Sequence, residues 1–219
     1  MIRVAVAGAA GRMGATVCEA VEGADDLVLS GRADPALRTS VREVLGEADV
    51  MVDFTRPDTA LDNARAALEA GVHVVIGTSG FDLDGLRAAA ADSSANAFFA
   101  PNFAVGAVLM MRFAAEASRV MAKAEIVEYH HDRKLDAPSG TAARTAELME
   151  GDVPIHSVRL PGIMSDQDVI LGEVGQSLVI RHVTTDTASF MPGVLLAIRR
   201  VADLPESPVV GLERLLWPS

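Results

Sequence analysis

Strand and helix patterns alternate along the first hundred residues, and this alternation constrains the fold more than any other feature of the sequence. Short apolar runs suited to buried strands are separated by segments in which apolar residues recur at helical spacing. Strands separated by helices in this way form a parallel sheet with helices on both faces. The predicted strands cover residues 2–7, 26–30, 49–54, 72–76 and 97–100, and the predicted helices cover residues 11–21, 55–70 and 83–91.

The pattern changes near residue 103. A long, mostly apolar helix is predicted over 104–121 with Asn102 as its cap, just as Thr55 is the predicted cap of an earlier helix. The later strands follow one another through short turns, which favours an antiparallel sheet. The sequence therefore predicts an α/β fold, with an N-terminal parallel sheet and a C-terminal α+β domain whose sheet is mostly antiparallel. The later predicted elements are strands at 125–129, 157–160, 169–174 and 177–184, and helices at 141–150 and 193–201. The two predicted domains are 1–103, completed by 192–219, and 104–191.

Composition excludes several classes of function. A chain of 219 residues, 50% of them hydrophobic, can bury the core of one or two domains. No window approaches the ~18 uncharged apolar residues of a membrane span. The formal charge of −11 argues against nucleic acid as a partner, because phosphate binding needs a basic surface. The single Cys18 cannot form an internal disulfide, which favours a reducing cytoplasm, and no metal site is predicted.

A glycine-rich turn follows the first predicted strand and opens the first helix. Glycines in this position let the backbone approach the pyrophosphate of a dinucleotide, which binds at the helix N-terminus. Asp34 lies about twenty residues further on, where an acidic residue accepts hydrogen bonds from the adenosine ribose. The spacing is G-x-x-G-x-x-G, so a turn that only packs helix against strand remains the alternative. The predicted cofactor-binding residues here are Gly8, Ala9, Ala10, Gly11, Arg12, Met13 and Asp34.

Two further loops follow predicted strands on the same edge of the parallel sheet. Ligands of open parallel sheets bind at the carboxyl ends of the strands, so both loops are candidates for cofactor binding. Ordinary turn chemistry would explain each of them equally well. The residues concerned are Gly77, Thr78 and Ser79 in one loop and Ala100, Pro101, Asn102 and Phe103 in the other.

The segment EIVEYHHDRKLDAPSGTA, from Glu125 to Ala142, concentrates positive charge between a predicted strand and a predicted helix. His130, His131 and Lys134 fall within five residues, in a chain that is otherwise acidic. Pro138 is predicted in the first turn of the helix, with Ser139-Gly140-Thr141 at its N-terminus, where free backbone N–H groups attract anions. These features predict a site for a carboxylate ligand; the alternative is a solvated loop with scattered charges.

Five motifs together resemble the 4-hydroxy-tetrahydrodipicolinate reductase (dihydrodipicolinate reductase) family. They are VAVAGAAGRMG ending at Gly14, VDFT ending at Thr55, GTSGF ending at Phe81, APNFAVG ending at Gly106 and EYHHDRKLDAPSGTA ending at Ala142. The last is the most specific, because so long a pattern of fixed polar residues has little chance of arising by accident. The resemblance covers nearly the whole chain.

The resemblance implies a Rossmann-like cofactor domain, a substrate domain that also makes the oligomer contacts, and a homotetramer. It implies reduction of 4-hydroxy-tetrahydrodipicolinate, a small dicarboxylate, by NADH or NADPH in lysine and diaminopimelate biosynthesis. His130 matches the family's proton donor and Lys134 its second catalytic residue. The positions that match or adjoin the family's substrate-carboxylate contacts are His131, Ser139, Gly140 and Thr141.

The chain departs from the family pattern in length and at one position near Asp34. The connections between the second strand and Asp49 and between Glu150 and His156 are shorter than is common in the family. Some relatives carry an arginine directly after the ribose-binding acid, where it suits a 2′-phosphate. Pro35 occupies that position here, so NADH is expected to be used at least as well as NADPH, unless nearby arginines approach the site.

Two other functions fit part of the sequence. Another two-domain nicotinamide enzyme, such as an amino-acid or semialdehyde dehydrogenase, would keep the glycine turn and Asp34. A dinucleotide-sensing protein without catalysis would keep them as well. Neither needs His130 and Lys134 together with the Ser-Gly-Thr helix start.

The two adjacent histidines make one structural prediction. Neighbouring residues of a regular strand point to opposite faces, yet His130 and His131 are assigned to one site. The strand is therefore expected to end or distort near His130.

Overall fold

The computed structural model describes residues 1–217. The chain divides into two units, one formed by Met1–Phe103 together with the segment that begins at Phe190, and the other by Ala104–Ser189. Within residues 1–217 the strands are β1 (Ile2–Ala7), β2 (Leu27–Ala33), β3 (Val50–Asp53), β4 (His73–Ile76), β5 (Ala97–Phe99), β6 (Lys123–His130), β7 (Ile155–Arg159), β8 (Ser165–Glu173), β9 (Gln176–Thr184) and β10 (Val209–Val210). The α-helices in the same range are α1 (Arg12–Glu22), α2 (Val41–Val44), α3 (Pro57–Glu69), α4 (Leu83–Ala91), α5 (Val105–Ser118), α6 (Gly140–Leu148), α7 (Met191–Arg200) and α8 (Glu213–Leu216).

The first unit contains the parallel sheet that the alternating pattern predicts. Its strand order is β10-β5-β4-β3-β1-β2, and every neighbouring pair is parallel. The last residues of four strands are in register, since Ala7 pairs with Asp53, Asp53 with Ile76, and Ile76 with Phe99. The loops that follow these strands therefore leave the sheet side by side, at the edge where such folds bind ligands.

The central strands β1, β3 and β4 are buried on both faces. Val4, Val6, Met51 and Val75 are each inaccessible to solvent, although consecutive residues of a strand point to opposite sides. Near-continuous apolar runs are typical of parallel strands covered by helices on both faces. Burial of each such side chain stabilises the fold by ~1.5–3 kcal/mol relative to exposure.

The second unit contains a four-stranded sheet of order β7-β6-β8-β9. The pairs β6–β8 and β8–β9 are antiparallel, which confirms the mostly antiparallel sheet. The edge strand β7 is parallel to β6, which the sequence did not predict. The chain passes from β6 to β7 through helix α6, and a crossover of this length brings the next strand back in the parallel direction.

The core of the second unit lies on one face of this sheet. Ile126, Val169 and Leu171 are inaccessible to solvent and belong to one cluster with Met110 and Ala114 of α5. Other apolar side chains of β8 and β9 remain exposed. They include Ile170, Leu178, Val179 and Val183.

Three predictions about helix starts are wrong. The cap of α3 is Arg56, because the Thr55 hydroxyl donates a hydrogen bond to Asp53 instead, and Pro57 occupies the first turn. The cap of α5 is Ala104 rather than Asn102. Pro138 precedes the first turn of α6, whose cap is Ser139; the Ser139 hydroxyl accepts a hydrogen bond from the backbone of Ala142 at 3.1 Å.

The segment after β2 contains more secondary structure than the sequence pattern predicted. Strand β2 extends to Ala33, so Asp34 follows it directly. Short helical turns then fill residues 35–47, including α2, where the sequence analysis predicted none. The signal was present in the spacing of Ser40 and Glu43, which is that of a capping box; the Glu43 carboxylate accepts hydrogen bonds from the backbone N–H and the hydroxyl of Ser40, each at 2.6 Å.

No helix within residues 1–217 is long and apolar enough to cross a membrane.

Candidate active site

The turn between β1 and α1 requires glycine at two positions. Gly8 has a φ of +79°, and a Cβ there would collide with the backbone carbonyl of Phe54. A Cβ on Gly14 would collide with the Gly8 carbonyl, so close packing of α1 on the turn also depends on the missing side chain. The turn therefore exposes backbone rather than side chains at the start of α1, as binding of a pyrophosphate requires.

A cavity of about 820 Å³ lies against this turn. Asp34 lines it, and the Asp34 carboxylate accepts hydrogen bonds from the backbone N–H groups of Ala36 at 2.8 Å and Ala10 at 3.2 Å. Bare glycine backbone, an oriented carboxylate and a volume within the usual range for ligand sites fit the adenosine half of a dinucleotide. The other lining residues include Gly8, Gly11, Ala33, Arg38, Thr39, Phe54, Thr55 and Asn63.

A buried carboxyl group joins the ends of β3 and β4. Asp53 is inaccessible to solvent and accepts hydrogen bonds from the hydroxyls of Thr78 at 2.7 Å and Thr55 at 2.8 Å. Its second oxygen accepts from the Asn63 amide at 2.8 Å. The sequence analysis gave Asp53 no role, although a lone acid in the apolar run VMVDF is a signal for a buried polar network.

Aromatic packing connects the remaining predicted cofactor loops to the same sheet edge. A Cβ on Gly77 would fall on the Phe54 ring, so this glycine lets the two loops touch. The Phe54 and Phe103 ring centroids lie 5.8 Å apart. The Ala100 N–H donates to the Ile76 carbonyl at 3.2 Å, which fixes where the last loop begins. Gly77, Thr78, Ala100 and Phe103 thus belong to one loop cluster.

In the second unit, strand β6 ends at His130, which confirms that the regular strand stops there. The His130 side chain is largely buried. Its Nδ1 lies 2.5 Å from Oε2 of Glu128, and its Nε2 lies 3.2 Å from the Ser165 hydroxyl of β8. Both nitrogens of the imidazole therefore have a defined partner.

Glu128 is the centre of this arrangement. Its side chain is inaccessible to solvent, and both its oxygens accept hydrogen bonds from the Arg159 guanidinium, at 2.7 and 2.9 Å. Its Oε1 also lies 3.3 Å from the backbone N–H of Ser139, at the start of α6. Glu128, Arg159 and Ser165 were missed from the sequence, because Arg159 and Ser165 face His130 only through the strand register.

The other predicted substrate residues lie in the connection after β6 and in the first turn of α6. Lys134 Nζ lies 2.6 Å from the Asp136 carboxylate, with 20% of its side chain exposed. A Cβ on Gly140 would meet no atom within 4 Å, so space is open in front of this residue. Nδ1 of His131 is buried and has no hydrogen-bond partner among the described residues. Of these predicted residues, the hydrogen bonds bring His130 and Ser139 together, through Glu128.

Charge around His130 favours a neutral imidazole next to an anionic carboxylate. Burial lowers the pKa of His130, the hydrogen bond to Glu128 opposes that effect, and the positive charges of Lys134 and Arg159 add to it. Burial raises the pKa of Glu128, but hydrogen bonds from Arg159, Ser157 and His130 outweigh burial, so that pKa is lowered overall. The imidazole is therefore the group at this strand end that is suited to taking up and releasing a proton.

Comparison with protein families assigns both parts of the chain. Residues 2–103 match the family model described as dihydrodipicolinate reductase, N-terminus. Residues 106–216 match the model described as dihydrodipicolinate reductase, C-terminus.

Curated relatives and a solved structure agree with this match. The 4-hydroxy-tetrahydrodipicolinate reductase of Thermobifida fusca is 45% identical over 99% of both chains. That of Mycolicibacterium smegmatis is 40% identical over 98% of this chain and 99% of the relative. The dipicolinate-bound dihydrodipicolinate reductase of Paenisporosarcina sp. TG-14 is 32% identical with a TM-score of 0.85, over 98% of this chain and 99% of that one. The aspartate semialdehyde dehydrogenase II of Vibrio cholerae is 12% identical with a TM-score of 0.58, over 91% of this chain and 99% of that one, and shares the fold alone.

Proposed function

This chain belongs to the dihydrodipicolinate reductase family, and we propose that it reduces 4-hydroxy-tetrahydrodipicolinate with His130 as proton donor and Lys134 as the cation that stabilises developing charge. It is an NAD(P)H-dependent oxidoreductase of lysine and diaminopimelate biosynthesis, with tetrahydrodipicolinate as its product. The observation that carries the assignment of His130 is its imidazole, held between Glu128 and Ser165 at the end of β6.

When bound, the reduced nicotinamide would supply a hydride to C4 of the conjugated imine that forms when the substrate loses its 4-hydroxyl group as water. Negative charge then develops as the double bond and the ring nitrogen reorganise, and a proton is needed to complete the reduction. His130 delivers that proton from Nε2 once the imidazole is protonated on both nitrogens, since the proton on Nδ1 is engaged by Glu128. A positioned acid of this kind is typically worth ~10²–10⁴-fold in rate.

Lys134 and the start of α6 hold the two carboxylates of the substrate. The Lys134 ammonium is paired with Asp136, whose side chain is 68% exposed, so an incoming carboxylate can replace an exposed partner. The first turn of α6 offers backbone N–H groups beside the open space at Gly140. We assign Ser139, Gly140 and Thr141 to this contact together with His131.

The cofactor is held by the first unit. The residues assigned to this role are those predicted from the sequence in the glycine turn and in the two later loops, together with Asp34. Asp34 already orients towards the cavity through its bonds to Ala10 and Ala36, which supports its role at the adenosine ribose. Arg32 is paired with Glu22 at 2.7 Å, whereas Arg38 lines the cavity and could meet a 2′-phosphate.

The assembly that we propose is a homotetramer formed through the sheet over residues 157–184. Exposed apolar side chains on β8 and β9 support it, because a small unit gains by covering such a surface. Light scattering should give four times the mass of the chain, and a monomer at micromolar concentration would contradict the assignment. We further propose a cytoplasmic location, supported by the buried, unpaired Cys18.

The decisive experiment for the function is a coupled assay. The substrate is generated enzymatically and consumption of NADH or NADPH is followed. Turnover with either cofactor supports the reductase. Tight cofactor binding without turnover would instead favour a dinucleotide sensor, and turnover with an amino acid or a semialdehyde alone would favour a different dehydrogenase.

A further inference from the structure

We propose that Glu128 and Arg159 are positioning residues that hold His130 with its proton on Nδ1, leaving Nε2 as the nitrogen that exchanges protons with the substrate. The proposal rests on the proposed role of His130 as proton donor. Glu128 is the partner of Nδ1 and Ser165 is the partner of Nε2. The position of the proton on the neutral imidazole can be measured in the protein without substrate or cofactor.

The hydrogen bond at Nδ1 of His130 has a fixed direction. An ionised carboxylate only accepts hydrogen bonds, so the short contact between Glu128 and His130 requires the proton to lie on Nδ1. Glu128 is kept ionised by two hydrogen bonds from Arg159. The neutral imidazole then presents the lone pair of Nε2 to the Ser165 hydroxyl.

The Ser165 hydroxyl can pair with Nε2 whether or not that nitrogen carries a proton. A hydroxyl is both donor and acceptor, so Ser165 can donate to Nε2 when it is unprotonated and accept from it when it is protonated. Glu128 can only accept and cannot adapt in this way. The proton on Nδ1 is therefore fixed, and the proton on Nε2 is the one that moves.

Arg159 makes contacts beyond Glu128. Its guanidinium also donates to the backbone carbonyl of Asp136 at 2.9 Å, in the connection that carries Lys134. One cation thus fixes the carboxylate behind His130 and the backbone two residues from Lys134. Arg159 is suited to this role because its planar guanidinium makes several hydrogen bonds in fixed directions.

The charged groups that act on His130 predict a pH effect. Glu128 lies on the same strand, Arg159 on β7 and Lys134 in the following connection, while β8 contributes the uncharged Ser165. Glu128 is the anion among them, so neutralising it lowers the pKa of His130 further. As the pH rises, His130 would then lose its proton at a lower pH than in the natural protein. Activity that depends on protonated His130 would therefore begin to decline at a lower pH than in the natural protein.

The test uses Glu128→Gln, which keeps the size of the side chain and removes its charge. Glutamine can donate to Nδ1 or accept from it, so the preference for a proton on Nδ1 is released. The matched control is Glu125→Gln on the same strand. Glu125 also pairs with a histidine, His156, at 2.9 Å, but that pair is exposed.

The readout is nitrogen-15 NMR of histidine-labelled protein without cofactor, recorded as a pH titration alongside kcat and KM. In the natural protein, His130 is expected to carry its neutral-state proton on Nδ1. Glu128→Gln should show a mixture of tautomers, a lower pKa for His130 and kcat reduced by ~10–100-fold, with substrate KM changed much less. Glu125→Gln should match the natural protein in all of these.

Two results would overturn the proposal. One is a neutral His130 protonated on Nε2 in the natural protein, a result that needs no folded variant. The other is a folded Glu128→Gln protein whose His130 tautomer and pKa are unchanged. Either result leaves the coupled assay of the natural protein standing, whereas failure of that assay would overturn the function without altering the tautomer.

Discussion

Among residues 1–217, two carboxyl groups are inaccessible to solvent near the ends of strands, one in each unit, and they are held in different ways. Asp53 of β3 accepts hydrogen bonds from uncharged groups, the hydroxyls of Thr55 and Thr78 and the amide of Asn63. Glu128 of β6 is held by the Arg159 guanidinium and the His130 imidazole. Burial of a polar or charged group is costly unless it is compensated by hydrogen bonds or a counter-charge, and these two carboxyl groups are compensated in different ways.

This difference indicates that the two strand ends have different roles. The donors of the Asp53 network are uncharged hydroxyl and amide groups, and they join the loops that follow β3 and β4. The Glu128 network includes an imidazole that changes charge near neutral pH, so its geometry and its proton occupancy are linked. The first arrangement suits a cofactor platform and the second suits proton transfer.

The largest expected effect is at the proton donor. We expect His130→Ala or Lys134→Ala to lower kcat by about two orders of magnitude or more, the usual scale for a lost acid or a lost electrostatic contact. Cofactor affinity should hardly change, since the dinucleotide is assigned to Gly8–Gly14 and Asp34. Steady-state kinetics and cofactor titration by fluorescence measure the two quantities. His156→Ala, at an exposed histidine of β7, is the control.

That expectation separates the two units directly. Near-normal kcat in His130→Ala would show that the proton comes from elsewhere. A loss of cofactor binding in proportion to activity would show that the substitution disturbs the cofactor platform and that the division of roles is wrong.

The next effect is on stability, at Asp53. Asp53→Asn places an amide N–H₂ among groups that already donate, so one or more buried donors lose their acceptor, at a cost of ~1–3 kcal/mol. Denaturant unfolding should show this loss, and cofactor KM should rise, while the pH dependence of kcat stays unchanged. Asp62→Asn, on α3 with its side chain 81% exposed, should have little effect on either. A shifted pH profile in Asp53→Asn would break the distinction between the two carboxyl groups.

A smaller effect concerns the choice of cofactor. Asp34 puts a carboxylate near the expected position of the adenosine ribose, and the 2′-phosphate of NADPH would meet like charge there. We expect kcat/KM for NADH to equal or exceed the value for NADPH. A preference for NADPH of tenfold or more, ~1.4 kcal/mol, would show that Arg38 reverses the effect of the carboxylate.

The smallest expected effect is the pH dependence of the cofactor unit, which a second histidine probes. Burial lowers the pKa of His73, whose Nδ1 accepts a hydrogen bond from the Asn96 backbone at 2.9 Å. Its contribution is complete above the unfolded pKa of about 6.5 and is lost as pH falls through the lowered pKa of the folded state. Tm should therefore fall on acidification, by roughly 2–4 °C for each 1 kcal/mol of stability lost in a chain of this size.

Thermal unfolding between pH 7.5 and pH 5 gives the measurement, with His73→Gln as the comparison. The variant keeps an acceptor that does not titrate, so its Tm should fall less on acidification. An equal fall in both proteins would assign the pH dependence to other groups.

The sequence was sufficient to predict the layout of the fold. It also singled out the segment from Glu125 to Ala142, which contains His130 and Lys134. The central strands β1, β3 and β4 are buried on both faces, so their apolar runs were recognisable between the helical segments. The glycine turn was evident because the positive φ at Gly8 favours glycine, which is visible in the sequence. The four-residue helix α2 was missed because it is too short to show a period, although Ser40 and Glu43 carried a capping signal.

The partners of His130 could not be predicted from the sequence. Arg159 lies opposite His130 only because β7 pairs with β6 in parallel after a crossover, and that direction was not predicted. Asp53 was hidden for a different reason. Its hydrogen-bond partners come from three segments, namely Thr55, Asn63 and Thr78. The pairing of β3 with β4 brings Thr78 to Asp53, and that pairing is not visible in the sequence.

The crossover between β6 and β7 has a consequence for how this enzyme tolerates changes in length. The chain leaves α6 at Leu148 and enters β7 at Ile155, and Arg159 meets Glu128 through strand pairing rather than through that connection. Residues can therefore be gained or lost between the two elements while the guanidinium stays in place. A slip of β7 by one residue would instead turn Arg159 to the opposite face of the sheet. Strand pairing therefore makes the site tolerant of insertions in this connection, whereas an error in that pairing would separate Arg159 from Glu128.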